Sequence, residues 1–167
     1  MRLVTAALTL ALAWPATAQP SGITGLRCAI TCSTTLFELA RDVGITGPAS
    51  VTDGGTIRVL GLAIRLRGVA APERDDTDGP AATAFLRQLV EGQDVSCLPD
   101  GTKTRGRIVA VCFRDGQDIG QLIIQAGYAR DCPRFSGGHY AAAEARARAA
   151  GRDLSRTYRL PSYCLLQ

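Results

Sequence analysis

The sequence has very little histidine or lysine: His139 and Lys103 are the only ones among 167 residues. A single histidine argues against zinc sites that need histidine pairs, and the cysteine spacings match no paired-cysteine zinc pattern. A zinc site therefore remains only as the alternative to disulfides for the cysteines. Because lysine is nearly absent, the positive charge is almost all arginine, whose planar fork suits phosphate.

Long apolar runs are also absent. Residues 3–14 form an apolar run shorter than the roughly 20 residues that cross a bilayer, and no later segment comes close. With Arg2 before it and small residues at 16–18, this run is typical of a signal peptide spanning residues 1–18. No cysteine at the cleavage point could carry a lipid. We expect an exported protein, periplasmic or extracellular, that begins at Gln19 and does not contact the membrane.

Internal repeats and low-complexity segments are missing as well, and the length suits one domain with one core. The net charge of +4 is mild and compatible with a polyanionic partner. A monomer is expected. The predicted organisation is a signal peptide (1–18), an N-terminal extension (19–50), a folded domain (51–151) and a C-terminal tail (152–167).

Cysteine, in contrast, is present in an even number, which in an exported chain indicates disulfides. The six are Cys28, Cys32, Cys97, Cys112, Cys132 and Cys164. Cys97 and Cys112 are symmetric about a turn near Arg105, so on an antiparallel hairpin they would face each other. We further predict that Cys132 pairs with Cys164 to tie down the tail, and that Cys28 pairs with Cys32.

Hydrophobic periodicity predicts short half-buried strands followed by helices. Ile57 and Val59, then Ile64 and Leu66, alternate with more polar or smaller neighbours. The expected later elements are a helix from Pro80 to Gly92, a strand pair at 94–97 and 108–113 joined by the loop Pro99 to Arg107, and helices at 118–127 and 140–150. This order predicts an α+β, mainly β fold: a five-stranded OB-fold barrel with about three packed helices.

Six short strings carry a family resemblance. They are Asp53-Gly54-Gly55-Thr56, the segment from Ile64 to Glu73, Arg105-Gly106-Arg107, the segment from Asp115 to Ile119, Ala126-Gly127-Tyr128-Ala129, and the segment from Tyr140 to Arg146. In this order and at these spacings they resemble the thermonuclease, or staphylococcal-nuclease-like, family. The resemblance implies an exported nuclease that hydrolyses DNA or RNA.

The resemblance also implies a catalytic trio, and position by position this trio is Arg65, Glu73 and Arg107. Glu73 would be the base that activates water, and the arginines would hold the phosphate. The family's two calcium carboxylates fall on Gly55 and Ala70, which carry no ligating side chain.

Calcium is therefore a doubtful cofactor. Asp53 is the nearest remaining acid that could ligate it, and the acidic loop Asp75, Asp76 and Asp78 could fold toward the site. Hard cations need several oxygen ligands, so such a site would be weak. Slow hydrolysis without a metal is the remaining route to activity.

Substrate contacts are expected from Arg105, which precedes the Gly-Arg pair, and from Phe135, on which a base could stack. Two alternatives to an active nuclease remain open. One is a catalytically silent OB-fold module that binds nucleic acid or another anion through the arginines, and the other is a disulfide-stapled protein-interaction domain.

Overall fold

The computed structural model describes residues 44–165. The predicted signal peptide, most of the predicted N-terminal extension and the predicted Cys28–Cys32 pair lie outside these residues. The first described strand begins at Ile45, six residues before the predicted start of the folded domain at residue 51. Within the described range, no helix is long and apolar enough to span a membrane.

Within residues 44–165 the fold has eight strands and four α-helices. The strands are β1 (Ile45–Asp53), β2 (Thr56–Val59), β3 (Leu62–Leu66), β4 (Val69–Ala70), β5 (Asp94–Thr104), β6 (Arg107–Arg114), β7 (Gln117–Asp118) and β8 (Arg130–Asp131). The helices are α1 (Gly79–Val90), α2 (Ile119–Gln125), α3 (Pro133–Ser136) and α4 (Ala141–Ala149). Two short 3-10 helices follow, Leu154–Arg156 and Ser162–Cys164.

Five of these strands close into a barrel. Strand β1 pairs antiparallel with β2 and β5, β2 pairs with β3, and β5 pairs with β6. A parallel pairing of β3 with β6 completes the circuit. The predicted α+β, OB-fold-like barrel is confirmed, and three longer helices and the single-turn α3 accompany it.

The barrel interior contains the side chains that the alternating pattern predicts. Ile57, Val59 and Ile64 are fully buried, and Leu66 nearly so. Helix α1 covers part of the barrel with Leu86 and Val90, and α2 adds further buried isoleucines. Since successive side chains on a strand point to opposite faces, the residues between these positions project outward.

The β5–β6 hairpin differs from the sequence prediction in the length of its loop. The predicted loop Pro99 to Arg107 is mostly strand, and the connection is the two-residue turn Arg105-Gly106. Both turn residues have positive φ, 48° and 76°, as the tight turns of hairpins require. The register of the β5–β6 pairing shifts between Pro99 and Lys103, within the stretch predicted to be a loop.

Both predicted disulfides in this part of the chain are confirmed. Cys97 and Cys112 are direct cross-strand partners and are bonded. Cys132 is bonded to Cys164 and brings the C-terminal tail back onto the barrel. This second bridge forms a small cluster with Ala70, against which Tyr158 and Leu160 of the tail pack.

Candidate functional site

Five of the predicted site residues converge on one cavity of about 590 Å³, and Asp53 is not among its lining residues. Arg65, Glu73 and Arg107 all line it, as do Arg105 and Phe135. Its size lies within the range of small-ligand pockets. The structure therefore brings together the residues of the predicted trio, while their chemical roles stay predictions.

The barrel register explains why the two arginines of the trio meet. Ile64 and Ile108 are paired across the parallel β3–β6 ladder and point into the core. Arg65, which pairs with Val109, therefore points outward, and Arg107 lies two residues before Val109 on the same face. The same alternation places both guanidinium groups on the outer barrel wall.

A buried hydroxyl group fixes the position of the Arg107 side chain. Its Nη1 donates a hydrogen bond to Oγ1 of Thr56 at 3.0 Å, and Thr56 is itself buried. Its Nε is buried and has no hydrogen-bond partner within residues 44–165. The guanidinium N–H groups that Thr56 does not engage leave Arg107 able to bind an anion in the cavity, and charge-assisted bonds of this kind are the stronger ones.

Arg65 is held by a backbone carbonyl. Its Nη2 donates to the carbonyl oxygen of Val69 at 2.9 Å. The guanidinium lies against Gly55, where a Cβ atom would overlap Nη1 and would come within 2.9 Å of Cζ. The absence of a side chain at Gly55 is what leaves room for this arrangement.

Glu73 stands at a tight turn immediately before α1. Its backbone N–H donates to Oδ2 of Asp76 at 2.8 Å, and its carbonyl accepts from the Asp76 N–H at 3.0 Å. The Glu73 side chain is exposed at the cavity and has no hydrogen-bond or ion-pair partner in the described part of the chain. Its carboxylate is therefore open to solvent and to a ligand in the cavity.

The cavity wall is strongly basic. Six cationic residues line it: Arg65, Arg67, Lys103, Arg105, Arg107 and Arg134. The acidic lining residues are Glu73 and Asp100, and Asp100 lies 3.6 Å from Arg67. This imbalance favours an anionic ligand.

An aromatic pair stands at the cavity and includes a residue that the sequence analysis missed. Phe135 and Tyr163 are 48% and 49% exposed, and their ring centroids are 6.5 Å apart. The Arg134 guanidinium lies 5.9 Å from the Phe135 centroid. The predicted Cys132–Cys164 bridge was the available signal for Tyr163, because Phe135 and Tyr163 lie close in sequence to its two ends.

The residues at the expected metal positions do not fit calcium. Oδ1 of Asp53 already accepts a hydrogen bond from the Gly55 N–H at 2.8 Å. Oδ2 of Asp76 likewise accepts a hydrogen bond from the Glu73 N–H. Ala70 is 1% exposed inside the tail cluster. In residues 44–165 no group of three acidic, cysteine or histidine side chains could hold a metal ion, whereas calcium takes six or more oxygen ligands.

His139 does not line this cavity. Its side chain is 60% exposed, and its Nε2 lies 3.4 Å from Oδ2 of Asp118. The Tyr140 hydroxyl donates to the same carboxylate at 3.1 Å. Burial, followed by the charge of Asp118, raises the pKa of Tyr140 well above its ordinary value. Asp118 also caps α2 through the Gln121 N–H, so this cluster joins α2 to the start of α4.

A family model described as staphylococcal nuclease homologue matches residues 63–154, which is more than half of the chain. The chain belongs to the staphylococcal nuclease family. Its matched region includes Arg65, Glu73 and Arg107 and excludes the segment around Gly55. The resemblance inferred from the short strings is thereby confirmed.

Two curated proteins are similar to this family member. The succinoglycan biosynthesis protein ExoI of Rhizobium meliloti (strain 1021) is 33% identical over 124 residues, covering 67% of this chain and 65% of that protein. An uncharacterized endonuclease of Escherichia coli is 32% identical over 84 residues, covering 47% of this chain and 55% of that protein. The chain thus spans less than two thirds of the length of either relative.

Proposed function

We propose that this protein is an exported nuclease that hydrolyses phosphodiester bonds of DNA or RNA. The observation that carries the proposal is the convergence of Arg65, Glu73 and Arg107 in one basic cavity of a staphylococcal-nuclease-family barrel. The similarity to a protein named an endonuclease supports it. The other relative's name refers to succinoglycan biosynthesis and does not specify a reaction.

The chemistry assigns one role to each member of the trio. The Glu73 carboxylate takes a proton from water as the water oxygen attacks phosphorus. Arg107 and Arg65 hold the phosphate oxygens on which negative charge grows. The bond between phosphorus and the leaving oxygen breaks, and that oxygen takes a proton from solvent.

A nucleic-acid substrate fits the rest of the cavity. Arg105, on the hairpin turn, adds positive charge at the cavity wall for a neighbouring phosphate. Phe135 and Tyr163 present half-exposed rings on which an unpaired base could stack. Phosphate-binding and base-stacking groups in one cavity favour single-stranded DNA or RNA over a simple anion.

Export is supported by the two disulfides, since such bonds persist in oxidising compartments. We propose that residues 1–18 are removed as a signal peptide and that the mature protein is periplasmic or extracellular. The domain from 51 to 151 would then carry the catalytic trio, with the tail completing the cavity through Tyr163.

A second candidate is a catalytically silent module that binds nucleic acid. The observation that favours it is the poor fit of calcium to Gly55 and Ala70, because a lost cation removes several kcal/mol of phosphoryl polarisation. Each 1.36 kcal/mol is about tenfold in rate, so a drop of roughly a thousandfold is expected if nothing replaces the cation.

Cleavage of single-stranded DNA and RNA by the purified protein tests the two candidates. Glu73→Gln removes the proposed base at nearly constant shape, so we expect cleavage to fall at least about a hundredfold while oligonucleotide affinity stays within about threefold. Cleavage by Glu73→Gln at the wild-type rate would sink the catalytic role of Glu73. Binding without cleavage at high enzyme concentration, with calcium or with chelator, would leave the silent module.

A further inference from the structure

The side chain of Arg65 fills the space of one expected metal carboxylate. Gly55 does not have a positive φ, so its backbone conformation would accept a side chain. What stands in the way is Arg65, because a Cβ atom at Gly55 would overlap Nη1 of its guanidinium. A cationic group therefore lies where an acidic side chain would begin.

The other expected metal position is closed by the C-terminal tail. Ala70 is buried in the cluster formed by Cys132 and Cys164, with Tyr158 packed against it. The Tyr158 hydroxyl also donates to the adjacent carbonyl of Ala71 at 3.1 Å. A carboxylate at position 70 would be buried in an apolar cluster, and a neighbouring carbonyl that calcium could use already has a partner.

We propose that the Arg65 guanidinium takes the place of the divalent cation, so that this site binds a phosphate group through arginines alone. The inference rests on the cavity of the proposed nuclease but concerns its ligand requirement. Phosphate binding would then not depend on calcium, and a chelator would leave it unchanged.

The surroundings of Arg65 suit this substitution. Among residues 44–165 only Nη2 is engaged, through the Val69 carbonyl, so further N–H groups remain to donate to a ligand. Arg107 lines the same cavity, and in residues 44–165 its side chain is hydrogen-bonded only through Nη1 to Thr56. Two guanidinium groups can together bind several oxygens of one phosphate, and guanidinium stays charged at every physiological pH.

The first experiment measures binding without turnover. A short single-stranded phosphorothioate oligonucleotide and inorganic phosphate are each titrated into the full chain by calorimetry, in chelator and in millimolar calcium. We expect the two affinities of each probe to agree within about twofold and calcium alone to give no binding heat. A phosphate or oligonucleotide affinity at least tenfold higher in calcium than in chelator would overturn the proposal.

The second experiment returns a side chain to position 55. In Gly55→Asp the new carboxylate would pair with Arg65, so phosphate affinity should fall at least about tenfold without any gain of calcium affinity. Gly55→Asn is the matched control, because asparagine has the same shape as aspartate without the charge. Its loss of phosphate affinity should be clearly smaller. If Gly55→Asp instead binds calcium and phosphate together, Arg65 is not the replacement for the cation.

These outcomes separate the inference from the proposed nuclease function. Calcium-independent phosphate binding by a protein that cleaves nothing would support the inference and contradict the nuclease. Cleavage that requires calcium would support the nuclease and contradict the inference. Circular dichroism of each variant, compared with wild type, identifies any loss of affinity that comes from unfolding.

Discussion

At the scale of single residues, the site depends on which side chains are paired and which are left open. Arg107 is supported by Thr56, but its Nε has no partner in the described chain. Glu73 is fixed through its backbone while its carboxylate stays exposed. Side chains that the protein holds in place while leaving some of their hydrogen-bonding groups unpaired are suited to bind a ligand.

Asp131, another group with an unpaired buried atom, should affect stability through pH. It is 2% exposed, and its Oδ1 lacks a hydrogen-bond partner within residues 44–165. Burial raises the pKa of this carboxyl, a hydrogen bond from Ser136 lowers it, and nearby Glu144 raises it, for a net increase. The unfolded chain therefore loses this proton first as pH rises, and the free energy of unfolding falls from about pH 4 upward.

Asp131→Asn removes this titration with little change of shape. We expect the variant to gain stability relative to wild type between pH 3 and pH 7, as measured by urea unfolding at each pH. Asp94→Asn, at an exposed strand position, is the control. An equal difference between Asp131→Asn and wild type at every pH would contradict the assignment.

Tyr163 provides a second prediction at this scale. Stacking of a base on an aromatic ring contributes about 1 to 3 kcal/mol, so Tyr163→Ala should weaken single-stranded oligonucleotide binding by roughly 5- to 150-fold. An abasic oligonucleotide of equal length should bind both proteins equally, because it keeps the phosphates and lacks the bases. Tyr163→Phe should behave as wild type. Equal losses with both probes would mean that Tyr163 supports the cavity without stacking.

At the scale of elements, the barrel was predictable from periodicity, whereas the tail was predictable only through its disulfide. Ile57 and Val59, like Ile64 and Leu66, are two residues apart, which is the period of a half-buried strand. The cysteine spacing predicted the register of β5 with β6. The tail consists of short 3-10 turns without periodicity, so the predicted Cys132–Cys164 bridge was the one signal that could place Tyr163 near Phe135. The trio's convergence followed from the resemblance, but the contact of Arg65 with Gly55 depends on side-chain packing that no pattern encodes.

The bridge between Cys132 and Cys164 should matter for the tail in a way that the hairpin bridge does not. It closes a chain segment with a sequence separation of 32, against 15 for Cys97 and Cys112. Each bridge is expected to contribute about 3 to 4 kcal/mol to stability by restricting the unfolded chain. Only the Cys132–Cys164 bridge also anchors a segment, the C-terminal tail, that has no strand pairing of its own.

Replacing Cys132 and Cys164 together by serine should therefore release the tail. We expect trypsin to cut at Arg156 or Arg159 at least about tenfold faster than in wild type, since the bridge no longer limits local opening. The Cys97→Ser, Cys112→Ser pair should lower the unfolding midpoint without accelerating these cuts under native conditions. Equal cutting rates in the two double variants would show that the tail is held by packing alone.

At the scale of the whole molecule, charge is distributed unevenly. The sequence has 19 basic residues against 15 acidic ones, yet the cavity is lined by six cations and two acids. Exposed charges are screened beyond about 8 to 10 Å in physiological salt. The attraction of a polyanion should therefore come from the cavity wall and not from the net charge of the chain.

Salt dependence of oligonucleotide binding tests this distribution. For single strands the logarithm of affinity falls against the logarithm of salt concentration with a slope of about −0.7 for each phosphate contact. Arg107→Ala removes one cavity cation, so its slope should be shallower than that of wild type by about 0.7. Arg87→Ala removes an equal charge from the exposed face of α1, outside the cavity, and should keep the wild-type slope. Because both variants have the same net charge, identical slopes for the two would mean that the protein attracts nucleic acid through its overall charge, and that the cavity wall is not the binding surface.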